Sequence, residues 1–193
     1  MKPLLILISW FCWLPVSAMA LDADVQEKLL KSRRCVKCDL HGADLHQVDL
    51  RGALLPGSNL DGANLQGANL QDVRFYKARL RQADLSGADL QRAQMRDTDL
   101  LGIVLKGANL RRAYMEQSNL EGADLSGADL RNASLTGVFL KNGSLVNADL
   151  RDAVLFGANL TGCDLTGAQL SGAYWITGIR CLVGSVGRCE LAK

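Results

Sequence analysis

The chain has 193 residues, 48% of them hydrophobic and 22% charged, with a formal net charge of +2. Those values exclude a collagen-like chain, a charge-rich disordered tail and a strongly basic nucleic-acid binder, and the length allows one domain or two small ones. The averages hide a skew, because 35 residues are Leu and 22 are Ala, against three Pro and ten aromatics. A mixed core would draw more on Val, Ile and Phe.

Lys2 gives the N-terminus a short positive start, Leu4 to Val16 is mostly apolar, and Ala18-Met19-Ala20 has the form of a cleavage site. Residues 1–20 are therefore expected to be a secretory signal peptide. The apolar run falls short of the roughly 20 residues that a membrane span needs. Cys12 follows Ser9-Trp10-Phe11, which is not a lipoprotein cleavage box. The expected location is periplasmic or secreted, with no membrane span in the mature chain.

Residues 21–37 read as an N-terminal cap. Asp24 can cap a helix start, Glu27 follows three residues on, and Val25 and Leu29 share a face, so a short helix is expected over residues 23–32. Cys35-Val-Lys-Cys38 closes this segment. The pair could be a short disulfide, a redox pair, half of a metal site or two free thiols; a thioredoxin-type role would want a βαβ setting, which the pattern lacks.

The next 138 residues, 38–175, carry a period of five. Of the 28 positions read every fifth residue from Leu40 to Trp175, 24 are Leu; the others are Phe75, Met95, Met115 and Trp175. Leu40, Leu45, Leu50 and Leu55 begin this set, the expected core column. Two residues before each centre the side chain is small or β-branched, with Ala in 18 of 28. Immediately before the centre, 16 of 28 are Asp or Asn, and Gly is common two residues after it. An α-helix would scatter the Leu around its axis by about 140° per step, and a straight strand would flip each to the opposite face. A short extended piece followed by a bend satisfies the pattern, so each pentad is one side and one corner. The four centres that are not Leu differ by multiples of 20, so four pentads make a coil. Seven coils are expected, about 34 Å long at roughly 4.8 Å per coil.

Runs such as Ala63-Asn64-Leu65-Gln66-Gly67 and Ala123-Asp124-Leu125-Ser126-Gly127 resemble the pentapeptide-repeat family. The resemblance covers about residues 38–175 and implies an all-β solenoid, a right-handed quadrilateral β-helix. Handedness comes from the resemblance alone. Residues 176–193 then read as a C-terminal cap, with Trp175, Ile176 and Ile179 over the last coil. Cys181 and Cys189 bound a Gly-containing loop that a disulfide could close, an arrangement similar to one on exported members of the family. Cys163 stands at an inward position and reads as a buried, inert thiol. His41 and His46 extend the first pair to C-x2-C-x2-H-x4-H, but each His lies just after a centre on successive sides. They point outward from different corners, so no metal is assigned.

The outward positions distinguish the faces. The face of centres 55, 75, 95, 115, 135, 155 and 175 has no Asp or Asn before its centre; it carries Leu54, Arg74, Gln94, Tyr114, Ser134, Val154 and Tyr174. Tyr76, Arg96 and Phe156 lie on the same side. Arg74, Tyr76, Arg96, Tyr114, Phe156 and Tyr174 form a candidate interaction face, since aromatics and Arg dominate such surfaces. The competing explanation is structural: large inward side chains change the local geometry and remove the need for Asp or Asn. A second column, Arg51, Gln71, Gln91, Arg111, Arg131 and Arg151, reads as a solvated ion-pair ladder with Asp129 and Asp149, or as a site for an anionic glycan or phosphate.

No P-loop, nucleophile elbow or zinc-protease motif occurs, and the carboxylates stand in repeat columns, so neither enzyme nor cofactor is expected. The preferred reading is a non-catalytic exported scaffold that binds a protein or envelope polymer, without nucleic acid. A first alternative, known in the family, is binding of DNA gyrase by mimicry of duplex DNA; residues 38–175 carry 13 basic and 16 acidic residues with Arg interleaved, which argues against it. A second is a metal or redox role for the Cys35–His46 cluster.

Overall fold

The computed structural model describes residues 27–190; the expected leader and the start of the expected N-terminal helix lie outside them. A helix occupies residues 27–32 and buries Leu29 completely in the hydrophobic core. From there the chain forms the coil that the period requires. Arg34, Asp39, Asp44 and Asp49 bridge in parallel to Leu54, Asn59, Asn64 and Asn69, and the same twenty-residue step recurs up to Val154 and Tyr174. Four pentads therefore pass before the chain overlies itself, and the section is four-sided.

The sides pair through isolated bridges and not through extended strands. The cause is the corner in every pentad, which leaves one residue per side in bridge register. Hydrogen bonds are nevertheless dense. Leu40 N–H donates to the Asn59 carbonyl at 2.7 Å, Asn59 N–H to Cys38 at 2.8 Å and Gly42 N–H to Asp61 at 2.9 Å. At the corner, Ala43 N–H donates back to Leu40 at 3.1 Å.

Each corner needs a left-handed residue. Every fifth residue from Lys37 to Gly172 has positive φ, 15 of them Gly and 13 others, such as Gln82 and Asp97. A side chain there costs about 1 kcal/mol. The preceding Asp or Asn steadies the corner from outside: Asp39 Oδ1 accepts from His41 N–H at 3.2 Å and from Asn59 Nδ2 of the next coil at 2.9 Å. That dual acceptance explains why Asp and Asn dominate the position before the centre.

Inside, the centres form the expected column. Leu40, Leu45, Leu50, Leu55, Phe75, Met95 and Met115 are all buried. Each buried Leu contributes roughly 1.5–3 kcal/mol. One side is braced differently. Its inward small positions include Ser58, Thr98 and Ser118, all buried. Ser58 Oγ accepts from Cys38 N–H at 3.2 Å and donates to the Cys35 carbonyl at 2.5 Å. Ser118 Oγ accepts from Thr98 N–H at 3.2 Å and donates to the Met95 carbonyl. In both places a hydroxyl from the coil above joins the two backbone groups of the corner below.

The C-terminal end departs from expectation. At Gly178, with φ +81°, the chain reverses. The segment after it pairs antiparallel, Arg180 with Tyr174 and Val186 with Gln169, instead of beginning another coil. It therefore covers the sides of Leu170 and Trp175 and leaves those of Leu160 and Leu165 without an overlying coil among the described residues. Trp175 and Ile176 are half-buried, and Ile179 is exposed where it was expected to cover the core. Cys163, expected to be buried, is half-buried for the same reason. The other four described cysteines form disulfides, Cys35–Cys38 and Cys181–Cys189, with Cα separations of 5.4 and 5.1 Å.

Replacing Ser118 by Ala should leave the Thr98 amide and the Met95 carbonyl unpaired in the core. A loss of about 1–3 kcal/mol is expected by urea unfolding, whereas Ser126→Ala, on the outer surface, should cost less than about 0.5 kcal/mol.

Candidate interaction surfaces and family

On the face that lacks Asp and Asn, three corners, those after Cys35, Phe75 and Met95, are braced from within by Ser58, Thr98 and Ser118. At those three corners the outer position, held by Arg34, Arg74 and Gln94, is released from that task. Tyr76, Tyr114, Phe156 and Tyr174 lie on this face with 44–56% of their surface exposed. Tyr76, Arg96 and Tyr114, with Gln94 and Asp97, line one shallow depression of about 590 Å³. Lys77 Nζ lies 5.1 Å from the Tyr76 ring centre, and Arg96 reaches Glu116 at 3.4 Å. Arg74 is exposed in the same column without lining the depression. Phe156 and Tyr174 sit apart from it, beside the C-terminal reversal: Phe156 packs near Gly178, and Arg180 lies over the Tyr174 ring at 5.6 Å. Phe139, 52% exposed, escaped the sequence reading. Its signal was present, as an aromatic in a column of Asp99, Asn119 and Asn159.

Three of the four Arg in the basic column form ion pairs, whereas Arg111 has no carboxylate partner among the described residues. Arg131 bonds Asp129 through Nε at 2.8 Å and Nη2 at 2.5 Å, and reaches Asp149 in the next coil at 3.4 Å. Arg151 grips Asp149 and Arg51 grips Asp49 in the same two-point way. Gln71 and Gln91 both donate to Asp89. Hydrogen bonds from the Arg51 side chain and amide hold the Asp49 carboxyl down at about 2. The Arg151 guanidinium likewise lowers Asp149 against a smaller opposing effect of burial.

The first cysteine pair is bonded, so its sulfurs are not available together as metal ligands in this state. His41 and His46 are exposed, and His46 Nδ1 contacts Asp44 Oδ1 at 2.7 Å. Among the described residues no group of three or more His, Cys, Asp or Glu side chains is disposed to hold a metal. Burial pushes the Cys163 thiol up to about 11, with the Asp164 carboxylate adding to the effect. No described helix is long and apolar enough to cross a membrane.

Two family models match in succession: a pentapeptide repeat region over residues 34–105, and pentapeptide repeats over 100–137 and 138–173. The chain belongs to the pentapeptide-repeat family. Members of this family form right-handed quadrilateral β-helices, which agrees with the four-sided coil. A trypsin-treated variant of QnrB1, a plasmid-mediated fluoroquinolone resistance protein, superposes with a TM-score of 0.60 at 22% identity, over 72% of this chain and 69% of that one. Rfr23 from the cyanobacterium Cyanothece 51142 gives 0.45 at 25% identity, over 79% and 98%. HetL from Nostoc sp. strain PCC 7120, involved in heterocyst differentiation regulation, gives 0.32 at 23%, over 81% and 97%. No curated protein sequence matches significantly.

The carboxylates make a pH prediction. A folded-state value below the ordinary one adds stability above the unfolded carboxyl value, near 4, and that stability is lost as pH falls through the folded value. Asp49→Asn should therefore lower the thermal midpoint at pH 7 and lose its effect by about pH 2, in a melting series across that range. Each such exposed pair has a small effect alone.

Proposed function

We propose that this pentapeptide-repeat protein is a non-catalytic, exported scaffold that presents its Tyr- and Arg-bearing face to a protein or envelope polymer. The observation that carries the reading is the depression where Tyr76, Arg96 and Tyr114 converge. Aromatic and Arg side chains held on a rigid frame lose little conformational entropy on binding, which suits them as anchors. Export rests on the composition of residues 1–20 and accords with the two disulfides, which persist in oxidising compartments. In the same reading the helix at 27–32 caps one end of a seven-coil column, and the segment after Trp175 partly caps the other.

The gyrase reading draws on the family resemblance and on the likeness in fold to QnrB1. A mimic of duplex DNA would need arrays of carboxylates facing solvent unpaired. Here Asp49, Asp61, Asp72, Asp99, Asp129 and Asp149 all meet Arg side chains. Those pairs favour the scaffold.

The test is capture of partners from an envelope fraction on immobilised protein. Tyr114→Ala and Arg96→Glu should each weaken retention of the captured partner by at least about tenfold, the effect of losing one anchor. Unchanged retention of every partner by both variants would remove the stripe as the binding face.

A further inference from the structure

The exposed aromatics are not scattered. Of the five among the described residues, four stand on the wall of Tyr76 and Tyr114, and Phe139 alone lies elsewhere. Tyr76, Tyr114 and Phe156 belong to the coils of Phe75, Met115 and Leu155. An aromatic thus recurs in every second coil, about 10 Å apart along the column at the interstrand spacing. The coils between present polar side chains at the same outer positions, Gln94 and Arg96 in one, Ser134 and Thr136 in the other. Tyr76 and Phe156 stand in the column after the centres and Tyr114 in the column before them, so the three flank the line between the columns. Where the depression forms on that line, Gln94, Asp97 and Tyr114 make no side-chain hydrogen bond among the described residues, and Arg96 makes one, at 3.4 Å to Glu116. On the neighbouring wall the carboxylates are engaged, as Asp129 and Asp149 are by Arg131 and Arg151.

We infer that this wall holds a linear β-1,4-linked polysaccharide strand, lying along the column axis between the two outer columns. The inference rests on the reading of this face as the binding surface and names its ligand. A pyranose ring has an apolar face of C–H groups and a rim of hydroxyls. Tyr and Phe rings accept the first, and the unengaged amide, guanidinium, carboxylate and hydroxyl groups meet the second. The period selects the linkage. In a β-1,4 chain successive rings are turned over, so an identical contact recurs once per disaccharide, a length close to two coils. An extended peptide brings side chains to one side about every 7 Å and a helix turns every 5.4 Å or so, and neither matches the aromatic spacing. The lining also separates a sugar from a protein. The depression has no aliphatic side chain, and Arg96 and Asp97 stand within it, whereas the centre of a protein interface is depleted of charge. The frame spaces these groups before any ligand arrives: Met95 N–H donates to the Tyr114 carbonyl at 2.7 Å, and Tyr114 N–H to that of Ala93 at 2.9 Å.

The experiment is calorimetric titration of the oxidised full chain with β-1,4-linked oligomers of glucose and of N-acetylglucosamine, from the disaccharide to the hexasaccharide. At least one series should bind, with the tetrasaccharide at least about tenfold tighter than the disaccharide because it spans two aromatics. Tyr114→Ala should weaken the tetrasaccharide by at least about tenfold, and Tyr114→Trp, which keeps a stacking face, should restore it. Phe139→Ala, an exposed aromatic on another wall, should change nothing. No binding of either series at about 1 mM would overturn the inference. Equal affinity for di- and tetrasaccharide would overturn it too, as would binding that Tyr114→Ala leaves unchanged. The two readings fail separately. If the oligomers do not bind but an envelope partner is captured and then lost on Tyr114→Ala, the polysaccharide falls and the scaffold stands; if Tyr114→Ala alters neither readout, both fall.

Discussion

Everything in this molecule depends on the corner. A chain that must bury one Leu every five residues cannot run straight, and the left-handed residue two positions after each centre is what turns it. That residue brings its own amide into line with the carbonyl nineteen positions ahead, as Gly42 does with Asp61. The corner thus fixes both the direction of the next side and the register of the next coil. A helix or an extended strand would satisfy the backbone equally well but would scatter the Leu column.

The corners also decide where the surface is free to vary. On three sides they are steadied from outside, by Asp or Asn oxygens that accept from the turn and from the coil above, as at Asp39 and Asp44. On the fourth, hydroxyls of Ser58, Thr98 and Ser118 steady three corners from within. Internal bracing accounts for Arg34, Arg74 and Gln94 in place of Asp or Asn at the outer position, whereas the corners of Leu55, Met115 and Leu135 have Ala78, Val138 and Ala158 above them and no such hydroxyl. Residues such as Arg51 and Arg131 fill the remaining walls with carboxylate pairs that neutralise those faces locally.

The coil was legible in the sequence because its rule is periodic. Each of 28 repeats restates the same requirement, so Phe75, Met95 and Met115 could be assigned to a buried column from spacing alone. The C-terminal end was not legible for the opposite reason. Its course hangs on one reversal at Gly178, and nothing in the local composition distinguishes a chain that turns back over Trp175 from one that carries on over Leu160. Reading onward coverage into Ile179 followed from assuming that the rule continued. The aromatic face was visible as a break in the Asp and Asn columns, but its convergence into one depression depends on side-chain directions across neighbouring coils. Phe139 was missed because two deviations in a column, Arg79 and Phe139, carry little weight beside a whole face of them.

The disulfides stand where the repeat rule gives out. In a solenoid each coil is held by its neighbours, so the ends have the fewest contacts and fray first. Cys35–Cys38 spans a corner whose own turn bond is replaced by the Ser58 hydroxyl. Cys181–Cys189 closes a segment held down by antiparallel bridges at Tyr174 and Gln169 and by a few side-chain contacts such as Arg180 with Asp152. Both loops are short, so their effect on the unfolded chain is modest compared with a long cross-link. Their value lies in position. In the middle of the column four sides of hydrogen bonds above and below make a covalent tie redundant, and there the small inward positions are mostly Ala and never Cys. Where one layer of neighbours is missing, a covalent bond supplies constraint that the repeat cannot. Cys163 fits the same logic by contrast. It lies in the last complete coil, at an ordinary inward position, with no second sulfur bonded to it. Its thiol is held protonated by partial burial and the nearby Asp164 carboxylate, and it serves as one more small side chain in the column.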